Sequence, residues 1–258
     1  MRIILTNDDG IDAVGIRMLE KALKEKGHSV ALSAPMKNQS AKSHSITIRS
    51  SYDVEKRSDT EFAVDGTPAD SLIFGLFSGV LESFNPELVI SGINNGYNLS
   101  SDILYSGTCG AASEASMNKY KSIAISAEQD ADNRALKKAA EFIANNLEEI
   151  VKKITNYTYI NINVPVKGDV HDSCIAKVVF FSHDNEIRAR NAIEGRINTY
   201  TSDVFDSRRY KAVLKEPVEM EENLISDCDA VQKGTIAISL VSVVPRTMSY
   251  TLEGIKLK

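Results

Sequence analysis

Asp8 and Asp9 stand side by side behind an apolar run, in the stretch Ile4-Leu5-Thr6-Asn7-Asp8-Asp9-Gly10. Two like charges at this spacing repel and raise one another's pKa. A chain that keeps both needs a cation between them or a solvated turn, and Asp-Asp-Gly after a strand is an ordinary turn signal. Other oxygen and amide groups gather in three further stretches. Asn38, Ser40, Ser43, His44 and Ser45 fall in "APMKNQSAKSHSIT"; Asn94, Asn95 and Asn98 fall in "SGINNGYN"; Ser106-Gly107-Thr108 opens a run of small residues in "SDILYSGTCGAASEA". Carboxylates, amides and hydroxyls without clustered His or Cys are the ligands of a hard cation such as Mg²⁺ or Mn²⁺, not of zinc or copper. Ser106–Thr108 offers hydroxyls and free backbone N–H groups at a helix start, where an anion such as phosphate is favoured, and it reads equally as a plain N-cap. A divalent cation beside an anion cradle is the equipment of phosphoryl chemistry, since the ion polarises a phosphoryl oxygen and lowers the pKa of water.

Neighbouring residues have plainer readings. In "GTPAD", Thr67 is an N-cap, Pro68 the first helical residue and Asp70 the third member of a capping box. His44 is the one histidine near the cluster, open to a structural or a catalytic role. Lys37 and Lys42 are solvated, or touch a substrate phosphate.

The elements that must position these groups alternate strand and helix from Met1 to about Ile154. Arg2–Thr6 is a short apolar run, as in a strand covered on both faces. Ile16, Leu19 and Leu23 recur at helical spacing before Gly27, a C′ stop. Ser29–Ala34 reads as the second strand, ended by Pro35. Leu88–Ser91 and Ser122–Ser126 are two more, and Leu136, Ala140, Ile143, Leu147 and Ile150 mark a long helix. This alternation predicts an α/β fold: a Rossmann-like, mostly parallel sheet with helices on both faces, plus a C-terminal β-rich extension. In such sheets ligands bind beyond the carboxyl ends of the strands, where the polar clusters fall. Residues 1–165 read as the core carrying the active site. Residues 166–258 read as an extension that completes the core and serves oligomerisation. Tyr157–Val164 leads into it as a strand; within it Thr235–Val243 forms another with half-buried Ile236/Ile238/Leu240 alternation, and roughly His171 to Asp227 is polar, with hairpins and loops.

Bulk properties narrow the function. A formal net charge of −5 over 258 residues gives no general affinity for nucleic-acid duplexes or membranes. The three cysteines, Cys109, Cys174 and Cys228, have no CxxC spacing, so neither a disulfide framework nor a zinc site is indicated. Without a signal-peptide pattern or a membrane-length apolar run, the expected location is cytoplasmic.

The ordered set "TNDDGIDAVGI", "APMKNQSAKSHSIT", "GTPADS", "PELVISGINNGYN" and "DILYSGTCGAASEA" resembles the signatures of the stationary-phase survival protein SurE family of metal-dependent nucleotidases. "NINVPVKGD" and "DCDAVQKGTIAISLVSVVP" also look like family segments, and agreement is loose between His171 and Asp227. The resemblance implies a Rossmann-like core, one Mg²⁺ or Mn²⁺ per subunit, and removal of phosphate from nucleoside 5′- and 3′-monophosphates. It carries the metal ligands onto Asp8, Asp9, Ser40 and Asn94, and the phosphate-binding stretch onto Ser106, Gly107 and Thr108 with Asn98 close by. It implies a homodimer or homotetramer with exchanged C-terminal segments. In this reading one of Asp8 and Asp9 is the catalytic base for an attacking water, and direct attack by a carboxylate stays open. The loops after strand two and around Gly66–Asp70 are expected to shape the nucleoside pocket. Two rivals remain. One is a phosphatase for another small phosphoester. The other is a non-hydrolytic metal- and nucleotide-binding regulator, although a receiver domain needs a third aspartate where this chain has Ser91-Gly92-Ile93-Asn94.

Overall fold

The structure is a computed structural model that describes residues 1–169, 171–178, 181–183, 210–212 and 224–244. The strands are β1 (Arg2–Thr6), β2 (Ser29–Pro35), β3 (Val54–Ser58), β4 (Glu61–Val64), β5 (Leu88–Asn95), β6 (Lys121–Ala127), β7 (Thr158–Val164), β8 (Ser173–Ile175), β9 (Phe181–His183), β10 (Tyr210–Ala212) and β11 (Ile236–Ser242). The helices are α1 (Val14–Glu25), α2 (Pro68–Phe77), α3 (Gly107–Met117), α4 (Arg134–Lys152) and α5 (Asp227–Gln232).

Nine strands form one sheet in the order β3-β4-β2-β1-β5-β6-β7-β11-β8. The six from β4 to β7 run parallel. The expected α/β fold with a mostly parallel sheet is the fold observed. Successive residues of β1 explain why its sequence is apolar throughout. Ile3 and Leu5 join the core under α1 and α4, with Ile16, Leu19, Leu136 and Ile143. Ile4 faces the other way, onto a cluster with Leu72 of α2 and Ala115 of α3. Each such fully buried side chain contributes roughly 1.5–3 kcal/mol of transfer free energy. From β1 the chain builds outward through β2 and β4, then returns to the other side of β1 with β5, β6 and β7. The reversal opens a crevice between the carboxyl ends of β1 and β5, where an open α/β sheet holds its ligand.

Two elements depart from expectation. β5 runs on to Asn95 instead of stopping at Ser91, because its pairing with β6 shifts register between Ser91 and Asn94. Gly92 makes that bulge possible: its φ is +136°, and a Cβ there would lie 2.2 Å from the Ile125 carbonyl oxygen. The bulge re-aims Asn94 and Asn95 at the crevice. The second departure is β11, whose Leu240 is 52% exposed while Ala237 and Ser239 on the opposite face are buried. Only Ile236 and Ile238 of the expected stripe meet the core.

β11 pairs antiparallel with β7 and parallel with β8, so residues from the C-terminal third complete the main sheet. β9 and β10 form a separate antiparallel pair. The other hairpins and loops expected between His171 and Asp227 lie mostly outside the described residues. Among the described residues, no helix is long and apolar enough to cross a membrane.

Candidate active site

β1 ends at Thr6, and Asn7 closes the turn that follows: its amide donates to the Gly10 carbonyl at 2.7 Å, and its Oδ1 accepts from the Gly10 N–H at 3.2 Å. That turn sets Asp8 beneath the N-terminus of α3. The Thr108 hydroxyl donates to Asp8 Oδ1 at 2.6 Å, and the Thr108 N–H to Oδ2 at 3.2 Å. Gly107 lets the two elements approach this closely, since a Cβ there would stand 2.9 Å from both Asp8 Cβ and Pro68 Cγ. Asp8 is only 3% exposed. Burial pushes its pKa up to about 6, the Thr108 hydroxyl pulls it down, and the Asp9 charge pushes it up again.

Asp9 is more open. It accepts from the Asn95 N–H at 3.0 Å and from the Asn38 amide at 3.2 Å, and burial again raises its pKa. Asn38 in turn accepts from the Ser40 N–H at 3.0 Å, which ties the loop after β2 to the acidic pair. Asn94 folds its amide back onto the Gly96 carbonyl at 2.8 Å.

Asp8, Asp9, Ser40, Asn94, Asn98 and Ser106 all line one cavity of about 540 Å³. Gly107 and Thr108 do not line it. Thr108 is fully buried and occupied with Asp8, so part of the expected anion cradle is filled by the chain's own carboxylate. Ser106 is the N-cap of α3, accepting from the Cys109 N–H at 3.0 Å. His44 lies outside the cavity lining, its Nε2 2.7 Å from Glu114 Oε2 on α3. Asp70 forms the expected capping box with Thr67 and also accepts from the backbone and hydroxyl of Thr47, at 2.8 and 2.6 Å. Of the two loops expected to shape the nucleoside pocket, the one after β2 contributes Ser40 and Ala41 to the cavity lining and the one around Gly66–Asp70 contributes no residue.

On the β5 side the cavity is lined by the loop that carries Asn98. Asn98 is gripped through its main chain by two buried asparagines of β7. Asn163 Oδ1 accepts the Asn98 N–H at 2.8 Å, and the Asn161 and Asn163 amides donate to the Asn98 carbonyl at 2.8 and 3.0 Å. The Asn98 amide donates to Ser126 Oγ at 2.7 Å. Two residues on, buried Asp227 of α5 accepts the Ser100 N–H at 2.8 Å. Buried amides and carboxylates are costly unless paired, and here the pairing is spent on fixing one loop. Beyond that loop the cavity is bounded by Tyr97, Leu99, Gln129, Lys167, Val231 and Gln232. None of these was singled out from sequence. Gln129, Lys167 and α5 reach the site only through the sheet order, which short motifs do not encode.

The model of the survival protein SurE family matches residues 3–185. The chain belongs to the SurE family. A "5′-nucleotidase SurE" of Kosmotoga olearia is 36% identical over 255 residues, 97% of this chain and 95% of that protein. Its namesake in Solidesulfovibrio magneticus is 44% identical over 171 residues, 64% of this chain and 65% of that relative. The crystal structure of the SurE protein from Aquifex aeolicus superposes with a TM-score of 0.71 at 28% identity, covering 94% of this chain and 93% of that one.

The SurE-family site has a donor set that fits a hard dication. Two carboxylates, a hydroxyl and a side-chain amide face one cavity, and the carboxylates are adjacent, with burial working against the charge of each. No cluster of three or more His, Cys, Asp or Glu suited to a metal occurs among the described residues.

Proposed function

We propose that this chain is a divalent-metal-dependent nucleotidase that releases phosphate from nucleoside 5′- and 3′-monophosphates. The observation that carries the reading is the convergence of the Asp8–Asp9 pair from β1 with Asn94 from β5 in one cavity at the sheet's switch point. The printed names of the relatives support the same substrate class.

In this reading Asp8, Asp9, Ser40 and Asn94 hold one Mg²⁺ or Mn²⁺ per subunit. The ion, when bound, supplies charge to a phosphoryl oxygen and acidifies water in its shell. Thr108 locks both oxygens of Asp8 in place, so that carboxylate needs no reorganisation during turnover. Ser106 and Asn98 face the remaining phosphate oxygens. One carboxylate of the pair takes the proton of the attacking water, which is delivered in line with the leaving nucleoside oxygen. The 166–258 stretch completes the core and carries the contacts of a cytoplasmic homodimer or homotetramer, a state that light scattering of the purified chain measures.

The decisive experiment compares kcat/KM over nucleoside 5′- and 3′-monophosphates, sugar phosphates and short polyphosphates, with Mg²⁺, Mn²⁺ or EDTA. The expected outcome is preference for nucleoside monophosphates and abolition by EDTA, reversed by added metal. Undiminished phosphate release in EDTA, or preference for a sugar phosphate, overturns the reading.

A further inference from the structure

Ser40 is held from two sides, and one of the two anchors lies outside the cavity. On the upstream side the Gln39 N–H donates to the Asp8 carbonyl at 2.6 Å, and the Asn38 amide donates to Asp9 at 3.2 Å. Three exposed residues follow, Ser40, Ala41 and Lys42, bridged by a turn contact from the Lys42 N–H to the Gln39 carbonyl at 3.3 Å. The downstream anchor is Ser43. Its N–H donates to the Tyr105 carbonyl at 3.0 Å, and its hydroxyl donates to the Leu104 carbonyl at 2.5 Å. Both donors of Ser43 thus go to adjacent carbonyls at the end of the 3₁₀ turn Ser100–Leu104. The next residue after Tyr105 is Ser106, the N-cap of α3.

Ser43 makes these contacts from a strained backbone. Its φ is +56° and that of Ala41 is +59°, a left-handed region that side chains of this kind seldom enter. Such conformations persist where surrounding contacts over-determine them. Here those contacts are present. Gly110 lets the loop lie against α3, since a Cβ there would stand 2.7 Å from the Ser43 carbonyl oxygen and 2.9 Å from His44 Cα. Further along, the Thr67 hydroxyl donates to the Ser45 carbonyl at 2.7 Å, and buried Asp70 accepts from Thr47. Residues 43–47 therefore form a strap fastened to α2 and α3, and Ser40 sits on the exposed span beside it.

We propose that Ser43 is a positioning residue: it holds Ser40 at the cavity and fixes its place relative to Ser106, through the carbonyls of Leu104 and Tyr105. The assignment rests on the nucleotidase reading, in which Ser40 faces the cation and Ser106 the phosphate. Ser43 itself lies outside the cavity lining. A hydroxyl on a short exposed span samples many positions unless both ends are fixed, and ordering a group on binding subtracts from affinity. Releasing the downstream end should therefore weaken uptake of the ion more than it slows the loaded enzyme.

The test compares Ser43→Ala with Ser116→Ala in the full chain. The second variant removes a hydroxyl-to-carbonyl bond of the same kind, to Thr158 at 3.1 Å, at the opposite end of α3. Calorimetric titration with MnCl₂ gives Kd, hydrogen exchange gives the protection of the Gln39, Ser40 and Lys42 amides, and steady-state assays give kcat at saturating Mn²⁺. The net contribution of one hydrogen bond corresponds to about two- to ten-fold in an equilibrium constant. In Ser43→Ala, Kd should rise about five-fold, the three amides should exchange about five-fold faster, and kcat should fall by less than Kd rises. Ser116→Ala should leave Kd unchanged. An unchanged Kd in Ser43→Ala, unchanged exchange at those amides, a larger effect on kcat than on Kd, or an equal rise of Kd in Ser116→Ala each overturns the assignment. If the wild-type chain takes up no Mn²⁺, the metal-dependent reading fails by itself. Exchange then decides the anchor alone: faster exchange at Gln39, Ser40 and Lys42 in Ser43→Ala upholds it, and unchanged exchange refutes it.

Discussion

The two ends of the cavity are built to different rules. At the acidic end, Asp8 is 3% exposed, rooted at the end of β1 and held through both oxygens by Thr108 at the head of α3. At the far end the groups that meet solvent, Gln129, Lys167 and Gln232, are exposed side chains on turns and on a six-residue helix. Rigid elements hold the end where charge develops in the proposed reaction, because misplacement there costs rate steeply. The rim can vary with little cost to the fold. Chemistry and selectivity should therefore respond to mutation on separate scales.

The largest separation is expected from the acidic pair. Asp8→Asn and Asp9→Asn each remove a charge facing the proposed ion, and several kcal/mol of transition-state stabilisation correspond to roughly 10³-fold or more in kcat/KM. The fold should survive, since both substitutions are isosteric. Phosphate release at saturating Mn²⁺, compared with circular dichroism of the same samples, measures both quantities. Near-normal rates in both variants would erase the difference between the two ends.

Next in size is a pH effect on stability. In the metal-free chain Asp8 has a pKa raised from 3.8 to about 6, first by burial. The native state then holds a proton that the unfolded state releases, so stability falls as pH rises from about 4 to 7. At about 1.4 kcal/mol per unit the lost stability is about 3 kcal/mol. Urea unfolding in EDTA at pH 5 and pH 7 should show greater stability at pH 5, and Asp8→Asn should remove most of that difference. Added Mn²⁺ should reverse the sign, because the ion binds the ionised carboxylate.

Much of the acidic end was legible in the sequence, and little of the far end was. The strand-end rule gathered Asp8, Asp9, Ser40 and Asn94 among other polar residues, the family resemblance singled out these four, and the structure brings them to one cavity. Thr67, Pro68 and Asp70 were read correctly as a cap because capping is local in sequence. The role of Thr108 was hidden: a hydroxyl at a helix start looks the same whether it faces a phosphate or a carboxylate 100 residues away. Gln129, Lys167 and Gln232 gave no signal, because their meeting depends on β11 pairing with β7, a long-range contact between strands that sequence pattern leaves unassigned.

The buried asparagines of β7 test whether the two ends are joined through the loop between them. Asn163→Leu leaves the Asn98 N–H without its acceptor and removes one of the two donors to the Asn98 carbonyl. An unpaired buried group costs about 1–3 kcal/mol, which urea unfolding reads directly. Because Asn98 lies in the loop between Asn94 and Leu99, the same variant should raise KM for nucleoside monophosphates more than it lowers kcat. A stability loss with unchanged KM would mean that the clamp serves the fold alone.

The smallest effect is expected at His44, and it marks the edge of the acidic end. Its ring sits 2.7 Å from Glu114, outside the cavity lining, and that contact holds the Glu114 carboxyl below its usual value. A depressed carboxylate pKa contributes stability above pH 4.5 that is lost as pH falls through the folded value. The pair is partly exposed, so His44→Ala should cost only about 0.5 kcal/mol at neutral pH, shrinking toward zero in acid. Turnover should change by less than about two-fold, well inside the effect of removing a general acid or base, which is about 10²–10⁴-fold. A hundred-fold loss of kcat in His44→Ala, restored in part by His44→Gln, would move the boundary of the chemical end outward to α3 and make this histidine part of it.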